Sequence, residues 1–252
     1  MLYYKKTGTG KPLFILHGLF GLGDNWATLA KAYAEKGFCC YLIDQRNHGR
    51  SFHSFDFNYR LMAEDLLEIM DAEQLESISI IGHSMGGKTA MFFTAFHEQK
   101  VEKLIVADIA PRYYDPHHQT VISALESVQP ETLSSRKEAE DRLQLSIHDE
   151  GTVQFLLKNL YWKNETELAW RFGLPEITRN IDKVGEELPD VTIDTPALFL
   201  KGERSGYITK EDESAIRKIF RNVSIETIPA AGHWVHAENP AAFFEITSRF
   251  LS

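Results

Sequence analysis

The residues best able to do chemistry lie in a glycine-rich octapeptide. Residues 80–87 read Ile-Ile-Gly-His-Ser-Met-Gly-Gly, after an apolar run and before a helix-forming stretch. The pattern Gly-x-Ser-x-Gly, centred on Ser84, is typical of a nucleophile elbow, a sharp strand-to-helix turn that lifts a serine hydroxyl above a sheet edge. Because the serine backbone is strained there, larger side chains two residues before or after it would collide with the turn. We therefore predict Ser84 as a nucleophile.

The same segment also fits a second chemistry. Gly82, Gly87, Lys88 and Thr89 have the spacing of a phosphate-binding P-loop, again between a strand and a helix. The apolar stretch that ends at Asp108 resembles the strand whose aspartate holds magnesium in such proteins. The octapeptide alone is compatible with either chemistry.

Composition and charge exclude several classes of protein. The 252 residues are 43% apolar and 25% charged, as in ordinary globular proteins, so the core needs no disulfide or metal. The net charge of −9 argues against nucleic acid or an anionic membrane as partner. No apolar run approaches the roughly 18 residues of a membrane span, and the first residues lack a signal-peptide core. The adjacent Cys39 and Cys40 are expected to be reduced, and we predict a cytoplasmic location.

Strand and helix patterns alternate along most of the chain. Strands are predicted at residues 3–7, 13–17, 38–44, 78–82, 104–108, 197–201 and 223–229. Most of them are apolar throughout, as expected when helices cover both faces of a parallel sheet. Helices predicted between them, for example at 26–36, 59–75 and 86–97, complete a mostly parallel, doubly wound α/β sheet. The active site of such a sheet is expected at the carboxyl ends of its strands.

Residues 111–191 interrupt this alternation. No strand pattern occurs there, and helices are predicted at 121–128, 133–147 and 153–162. Since one crossover helix would suffice, we interpret this segment as a helical cap inserted after the strand that ends at Asp108. The core would then comprise residues 1–110 and 192–252. Additional helices flanking the sheet are the alternative interpretation.

Four motifs fall at strand carboxyl ends, on one rim of the predicted sheet. They lie at 17–21 (His-Gly-Leu-Phe-Gly), 44–49 (Asp-x-Arg-Asn-His-Gly), 82–87 and 231–234 (Ala-Gly-His-Trp). In combination they resemble the α/β-hydrolase superfamily over nearly the whole chain, and within it the YbfF-type esterases. Lys88 is ordinary in that pattern, and a P-loop would leave the histidine motifs without a purpose. The hydrolase interpretation is therefore favoured.

A serine nucleophile requires a base that takes its proton. His233 lies after the last predicted strand, where the chain order serine, acid, histidine expects the base. His236 is expected to begin or pack the last helix, His83 to be structural, and His48 to hold its loop in place. The histidines show no metal-ligand spacing, so neither a metal nor another cofactor is predicted.

The acid has several candidates. In most of the superfamily it follows the next-to-last strand in a Gly-x-x-Asp arrangement, but here Ser205 occupies that position. Asp194 precedes that strand and so lies at the wrong end of the sheet. Asp108 follows the preceding strand on the correct rim, and the YbfF-type pattern also has an aspartate there. We predict Asp108 as the acid, with Glu203 as the competitor.

Backbone N–H groups are the expected oxyanion donors. We assign them to Met85, directly after the nucleophile, and to Leu19, with Phe20 as the alternative to Leu19. Phe20, Trp162 and Trp234 are predicted to line the substrate pocket.

The resemblance implies hydrolysis of small carboxylesters with short to medium acyl chains, by a monomer or homodimer. The substrates that the resemblance implies include acyl-CoA thioesters. For a thioester of this kind, Arg46, Lys88 or Arg112 could bind the phosphates of the CoA. The same triad also serves carbon–carbon bond hydrolases, cofactor-free haloperoxidases and hydroxynitrile lyases. A non-catalytic ligand receptor could retain it as a binding pocket. The choice between ester and carbon–carbon cleavage depends on the resemblance alone.

Overall fold

A seven-stranded sheet forms the centre of the computed structural model, which describes residues 1–252. The strands are β1 (Tyr4–Thr7), β2 (Lys11–Leu16), β3 (Phe38–Ile43), β4 (Ile78–His83), β5 (Val101–Ala107), β8 (Ala197–Gly202) and β9 (Val223–Ile228), while β6 (Leu160–Trp162) and β7 (Leu168–Trp170) form a separate hairpin. Their order across the sheet is β1-β3-β2-β4-β5-β8-β9, and only β1 runs antiparallel to its neighbour. The predicted mostly parallel sheet is confirmed.

Helices connect the strands and cover the sheet. They are α1 (Ala27–Ala34), α2 (Tyr59–Ala72), α3 (Met85–Phe96), α4 (Gln119–Val128), α5 (Arg136–Gln144), α6 (Glu150–Leu157), α7 (Leu174–Arg179), α8 (Ile181–Val184), α9 (Lys210–Ile219), α10 (Val235–Glu238) and α11 (Pro240–Leu251). None of them is long and apolar enough to cross a lipid bilayer.

Both faces of the sheet are buried, which explains why its central strands are apolar throughout. Successive side chains of a strand point to opposite faces, so Ile80 of β4 joins one hydrophobic cluster and Ile81 joins the other. The first cluster contains residues of α2, α3 and the segment between β5 and β8. The second contains residues of α1 and α11. This division is the doubly wound arrangement that the sequence predicts.

The segment between β5 and β8 holds α4 to α8 and the β6–β7 hairpin. The hairpin corrects two predictions, since we expected no strand in residues 111–191 and a helix as far as residue 162. Helix α6 ends at Leu157 instead. The following residues are aromatic and favour a strand, and the Asn164 side chain accepts hydrogen bonds from the N–H groups of Thr166 and Glu167, which closes the turn. Each strand has only three residues, too few for a periodic pattern.

Candidate active site

Ser84 lies at the junction between β4 and α3, in the strained turn that the sequence predicts. Its backbone has φ 53° and ψ −118°, in the region that side chains rarely adopt. A Cβ atom at Gly82 would lie 2.2 Å from the Gly86 carbonyl oxygen, and one at Gly86 would lie 2.5 Å from the Leu16 carbonyl oxygen. The chain can therefore make this turn only with glycine at both positions.

Asp108 and His233 form a hydrogen-bonded pair at the same rim of the sheet. Asp108 directly follows β5, has φ 53° and is completely buried. Its Oδ2 lies 2.8 Å from His233 Nδ1, so the ring donates to the carboxylate. Two further donors reach the carboxylate, the Gly202 N–H (3.0 Å, to Oδ1) and the Ser205 hydroxyl (to Oδ2). The buried acid is thus held by three donors.

Ser205 is a residue whose contribution the sequence analysis missed. It stands where most of the superfamily has its acid, and its hydroxyl donates to the Asp108 carboxylate. The competing Glu203 is exposed and accepts the Ala230 N–H, 2.7 Å away, rather than a proton of His233. Ser205 lies three residues after Gly202, where most of the superfamily has its acid. That position in the sequence indicates a side chain close to His233.

The His233 ring is fixed on several sides. It stacks on the Tyr207 ring, with 3.9 Å between centroids, and its backbone carbonyl accepts a hydrogen bond from His83 Nε2, 2.8 Å away. His83 is buried, and it supports the loop that carries His233. His236 stacks on Trp26 with 4.0 Å between centroids, so it packs against the fold as expected. No hydrogen bond joins Ser84 Oγ to the His233 ring, although both residues line one cavity.

Two neutral histidines hold the loop after β2. His48 Nε2 accepts the Phe20 N–H (3.1 Å), and its Nδ1 donates to the Arg46 carbonyl oxygen (2.9 Å). His17 Nε2 accepts the Gln45 N–H (3.1 Å). Burial lowers the pKa of His17 to about 4 and that of His48 to about 3, so both stay uncharged near neutral pH. His48 therefore anchors the neighbouring loop as well as its own.

Two backbone N–H groups beside Ser84 are free to bind an anion. The Leu19 N–H has no acceptor within the protein. Met85 is the first residue of α3, where a helix N–H has no intrahelical partner. The Phe20 N–H, the alternative to Leu19, is occupied by His48. Leu19 and Met85 thus have the donors that an oxyanion site requires.

A cavity of about 220 Å³, called the large cavity below, opens beside Ser84 and His233. Its apolar wall includes Phe20, Val121, Phe155, Leu156 and Trp234. Trp162 does not line it, because this residue lies on β6 with its side chain 45% exposed. Of the three predicted pocket residues, the structure brings Phe20 and Trp234 to the cavity.

A second, small cavity of about 20 Å³ adjoins Ser84 on the side of α3. Its wall includes Met85, Lys88, Ile109, Tyr114 and Val184, and it shares Leu19 and Ser84 with the large cavity.

His117, His118 and Tyr207 line both cavities and were not predicted as site residues. His117 Nε2 lies 2.6 Å from the Tyr207 hydroxyl. Burial lowers the pKa of His118 to about 4. These residues lie in loops without a recognisable spacing, so the sequence carried no signal for them.

The three cations considered for phosphate binding are occupied by other contacts. Arg46 is buried and makes two hydrogen bonds to the Asp65 carboxylate, and Arg112 pairs with Asp212 at 2.8 Å. Lys88 is fully buried and donates to three backbone carbonyls, which leaves no donor for a phosphate. Burial and the nearby Arg112 lower the pKa of Lys88 to about 7. The lysine that a P-loop would aim at phosphate is therefore a structural group.

Comparisons with known proteins show the family to which the chain belongs. A family model described as "alpha/beta hydrolase fold" matches residues 11–129. The chain is 40% identical to a "Putative esterase/lipase" of Haemophilus influenzae, over 98% of this chain and 85% of that protein. It is 34% identical to "Esterase YbfF" of Escherichia coli, over 96% of this chain and 93% of the relative. A solved structure titled "Marine microorganism esterase" superposes with a TM-score of 0.96 at 47% identity, covering 99% of this chain and 98% of the other.

Proposed function

We propose that this chain, which belongs to the α/β-hydrolase superfamily and is an enzyme of the esterase/lipase type, cleaves carboxylesters through an acyl-enzyme on Ser84. The observation that supports this most is the hydrogen bond between Asp108 and His233 in a site that also holds Ser84 in a strained turn. The three side chains fill the roles of acid, base and nucleophile.

In the first half-reaction, His233 Nε2 takes the Ser84 proton while Oγ attacks the acyl carbon. The carbonyl becomes a tetrahedral oxyanion, which collapses and breaks the bond to the leaving oxygen. His233 gives its proton to that oxygen, so an alcohol departs and the acyl group remains on Ser84. A water molecule, deprotonated by His233, then attacks the acyl carbon and releases the carboxylic acid, and the proton returns to Ser84.

Asp108 keeps His233 in the tautomer with a proton on Nδ1, so that Nε2 is free to accept the serine proton. It also stabilises the imidazolium that forms. The N–H groups of Leu19 and Met85 donate to the oxyanion, and loss of one such donor typically slows an enzyme about 10²- to 10³-fold. The backbone does this work, so apolar side chains are tolerated at both positions.

We also propose that residues 111–191 act as a cap over the site. Val121, Phe155 and Leu156 of this segment line the large cavity together with Ser84. These apolar side chains suit the hydrophobic part of an ester and exclude water from it. Carboxylesters are favoured over acyl-CoA thioesters, because Arg46, Lys88 and Arg112 are all occupied.

A fluorophosphonate probe tests the proposal, since it reacts covalently with an activated serine. We expect labelling of the wild type and none of Ser84→Ala. We also expect Asp108→Asn to lower kcat for ester hydrolysis by about 10³- to 10⁴-fold, as the base would lose its tautomer control. Asparagine tolerates a positive φ, so circular dichroism should show an intact fold. Failure to label a folded wild type, or near-normal turnover in Asp108→Asn, would contradict the proposed triad.

A further inference from the structure

The two cavities meet at Ser84 but differ in which catalytic groups they contain. The large cavity is lined by His233, the proposed base. The small cavity is lined by Met85 from the proposed oxyanion site, and His233 is not among its wall residues. The residues that lie on both are Leu19, Ser84, His117, His118 and Tyr207. An ester bound at Ser84 therefore has two distinct spaces for its two halves.

The direction of proton transfer decides which half enters which space. When the tetrahedral intermediate collapses, the leaving oxygen must receive the proton held on His233 Nε2. The alcohol half must then lie on the side of His233, and the acyl half on the other side of Ser84. We infer that the small cavity binds the acyl group and the large cavity binds the alcohol, so that the preferred substrates are short-acyl esters of larger, apolar alcohols. This inference depends on the function proposed above.

The size of the small cavity limits the acyl chain. A space of about 20 Å³ is comparable to the room that one water molecule requires, so it admits a methyl group and little more. The large cavity has about 220 Å³. Its walls include the tilted ring pair of Phe155 and Trp234, 5.6 Å apart, which suits a bulky apolar alcohol.

The far wall of the small cavity is rigid, so a longer chain cannot easily widen it. Lys88 Nζ donates to the carbonyls of Pro111, Arg112 and Glu186, which joins both ends of the 111–191 segment to helix α3. Tyr114 is held as well, because its hydroxyl accepts the Ala110 N–H at 2.9 Å. Displacing this wall would leave buried polar groups without partners, which is costly.

Two series of esters test the inference through kcat/KM. The first varies the acyl chain from acetate to butyrate to hexanoate with 4-nitrophenol as the constant alcohol. The second keeps acetate and varies the alcohol among ethanol, hexanol and 2-phenylethanol. These alcohols have similar acidity, so differences in kcat/KM report how well each alcohol fits its cavity. We expect at least a ten-fold fall from acetate to hexanoate, and no fall from ethyl to 2-phenylethyl acetate.

Two variants then assign the acyl chain to the small cavity. Of the two cavities, Val184→Ala, or the milder Ile109→Val, enlarges only the small one and should raise the hexanoate-to-acetate ratio about ten-fold. Val121→Ala enlarges only the large cavity, so it should leave that ratio unchanged and alter the alcohol series instead.

A flat acyl series in the wild type, or an acyl ratio that responds to Val121→Ala and not to Val184→Ala, would overturn the assignment while leaving the esterase function standing. Absence of acylation at Ser84 with every ester would instead contradict the proposed function itself. The two failures are therefore distinguishable.

Discussion

Single side chains around Asp108 determine how the proposed base is oriented. The buried carboxylate has three donors, the Gly202 N–H, the Ser205 hydroxyl and the His233 ring. Hydrogen bonds to a charged group are roughly twice as strong as those between neutral groups. Ser205 shares the Oδ2 atom with His233, so its hydroxyl helps to fix the oxygen that the base contacts.

Replacing Ser205 should therefore affect turnover more than folding. We expect Ser205→Ala to lower kcat about ten-fold, the effect of losing one hydrogen bond of about 1.4 kcal/mol to a charged group. Ser205→Thr retains the hydroxyl and should keep most of the activity. Steady-state kinetics and urea unfolding of both variants check this.

If Ser205→Ala unfolds more easily but keeps its kcat, the hydroxyl has only a structural role. Glu203→Gln provides a matched control in the same loop, because Glu203 contacts Ala230 and not the base. Its kcat should stay near the wild-type value.

The sequence predicted the candidate triad because each member follows a strand at one rim. The position of Ser205 indicated a side chain near the proposed base, but its bond to Asp108 depends on how two separate loops meet, which the motif does not specify. Trp162 shows the opposite case, a side chain whose type suits a pocket but which lies exposed on the hairpin. Residue type alone does not reveal which way an aromatic side chain points.

At the scale of elements, the elbow between β4 and α3 depends on close approach of backbone segments. A Cβ at Gly86 would lie 2.5 Å from the Leu16 carbonyl oxygen and 2.6 Å from that of His17, both at the end of β2. Real Cβ atoms do not come so close to other atoms, so α3 or β2 would have to shift. Both carry parts of the site.

We expect Gly86→Ala to lower the free energy of unfolding by about 3 kcal/mol, at the upper end of ordinary single substitutions. Fluorophosphonate labelling of Ser84 should slow in the same variant. Gly206→Ala is the control, because a Cβ there meets nothing within 4 Å, and its stability should change by less than about 0.5 kcal/mol. Equal urea midpoints for the two variants would contradict the steric argument.

Elements were predictable where their patterns are long. Strands β3 and β4 are apolar runs bounded by turn residues, and helices such as α2 have a clear apolar face, so their positions agree with the prediction. Strand β5 begins at Val101, three residues before the predicted strand, because it includes the polar Glu102 and Lys103. The hairpin β6–β7 was missed because its strands have three residues each and are held by local turn bonds. The action of residues 111–191 as a cap stays a prediction, as does the cytoplasmic location.

At the scale of the whole molecule, burial of neutral histidines links stability to pH. Burial lowers the pKa of His17 to about 4 and that of His48 to about 3, and it lowers the pKa of His83 well below the usual 6.5. Below pH 6.5 the unfolded chain binds protons at these histidines while the folded chain does not. The unfolded state therefore gains stability relative to the folded state as the pH falls.

This linkage has a definite sign and size. The contribution of each histidine is fully present above pH 6.5 and is lost at about 1.4 kcal/mol per pH unit below it. Together these three histidines should lower the free energy of unfolding by about 4 kcal/mol per unit between pH 6.5 and 5. His118 and His236, whose pKa values burial lowers to about 4 and about 3, add to that fall, and urea unfolding at several pH values would show the total. In His48→Gln the amide can still accept the Phe20 N–H and donate to the Arg46 carbonyl, but it cannot bind a proton. The slope in that variant should be shallower by about 1.4 kcal/mol per pH unit, whatever its stability at neutral pH. A slope equal to that of the wild type would mean that His48 is not held neutral by burial, and the anchoring of the loop that carries Leu19 and Phe20 would need another explanation.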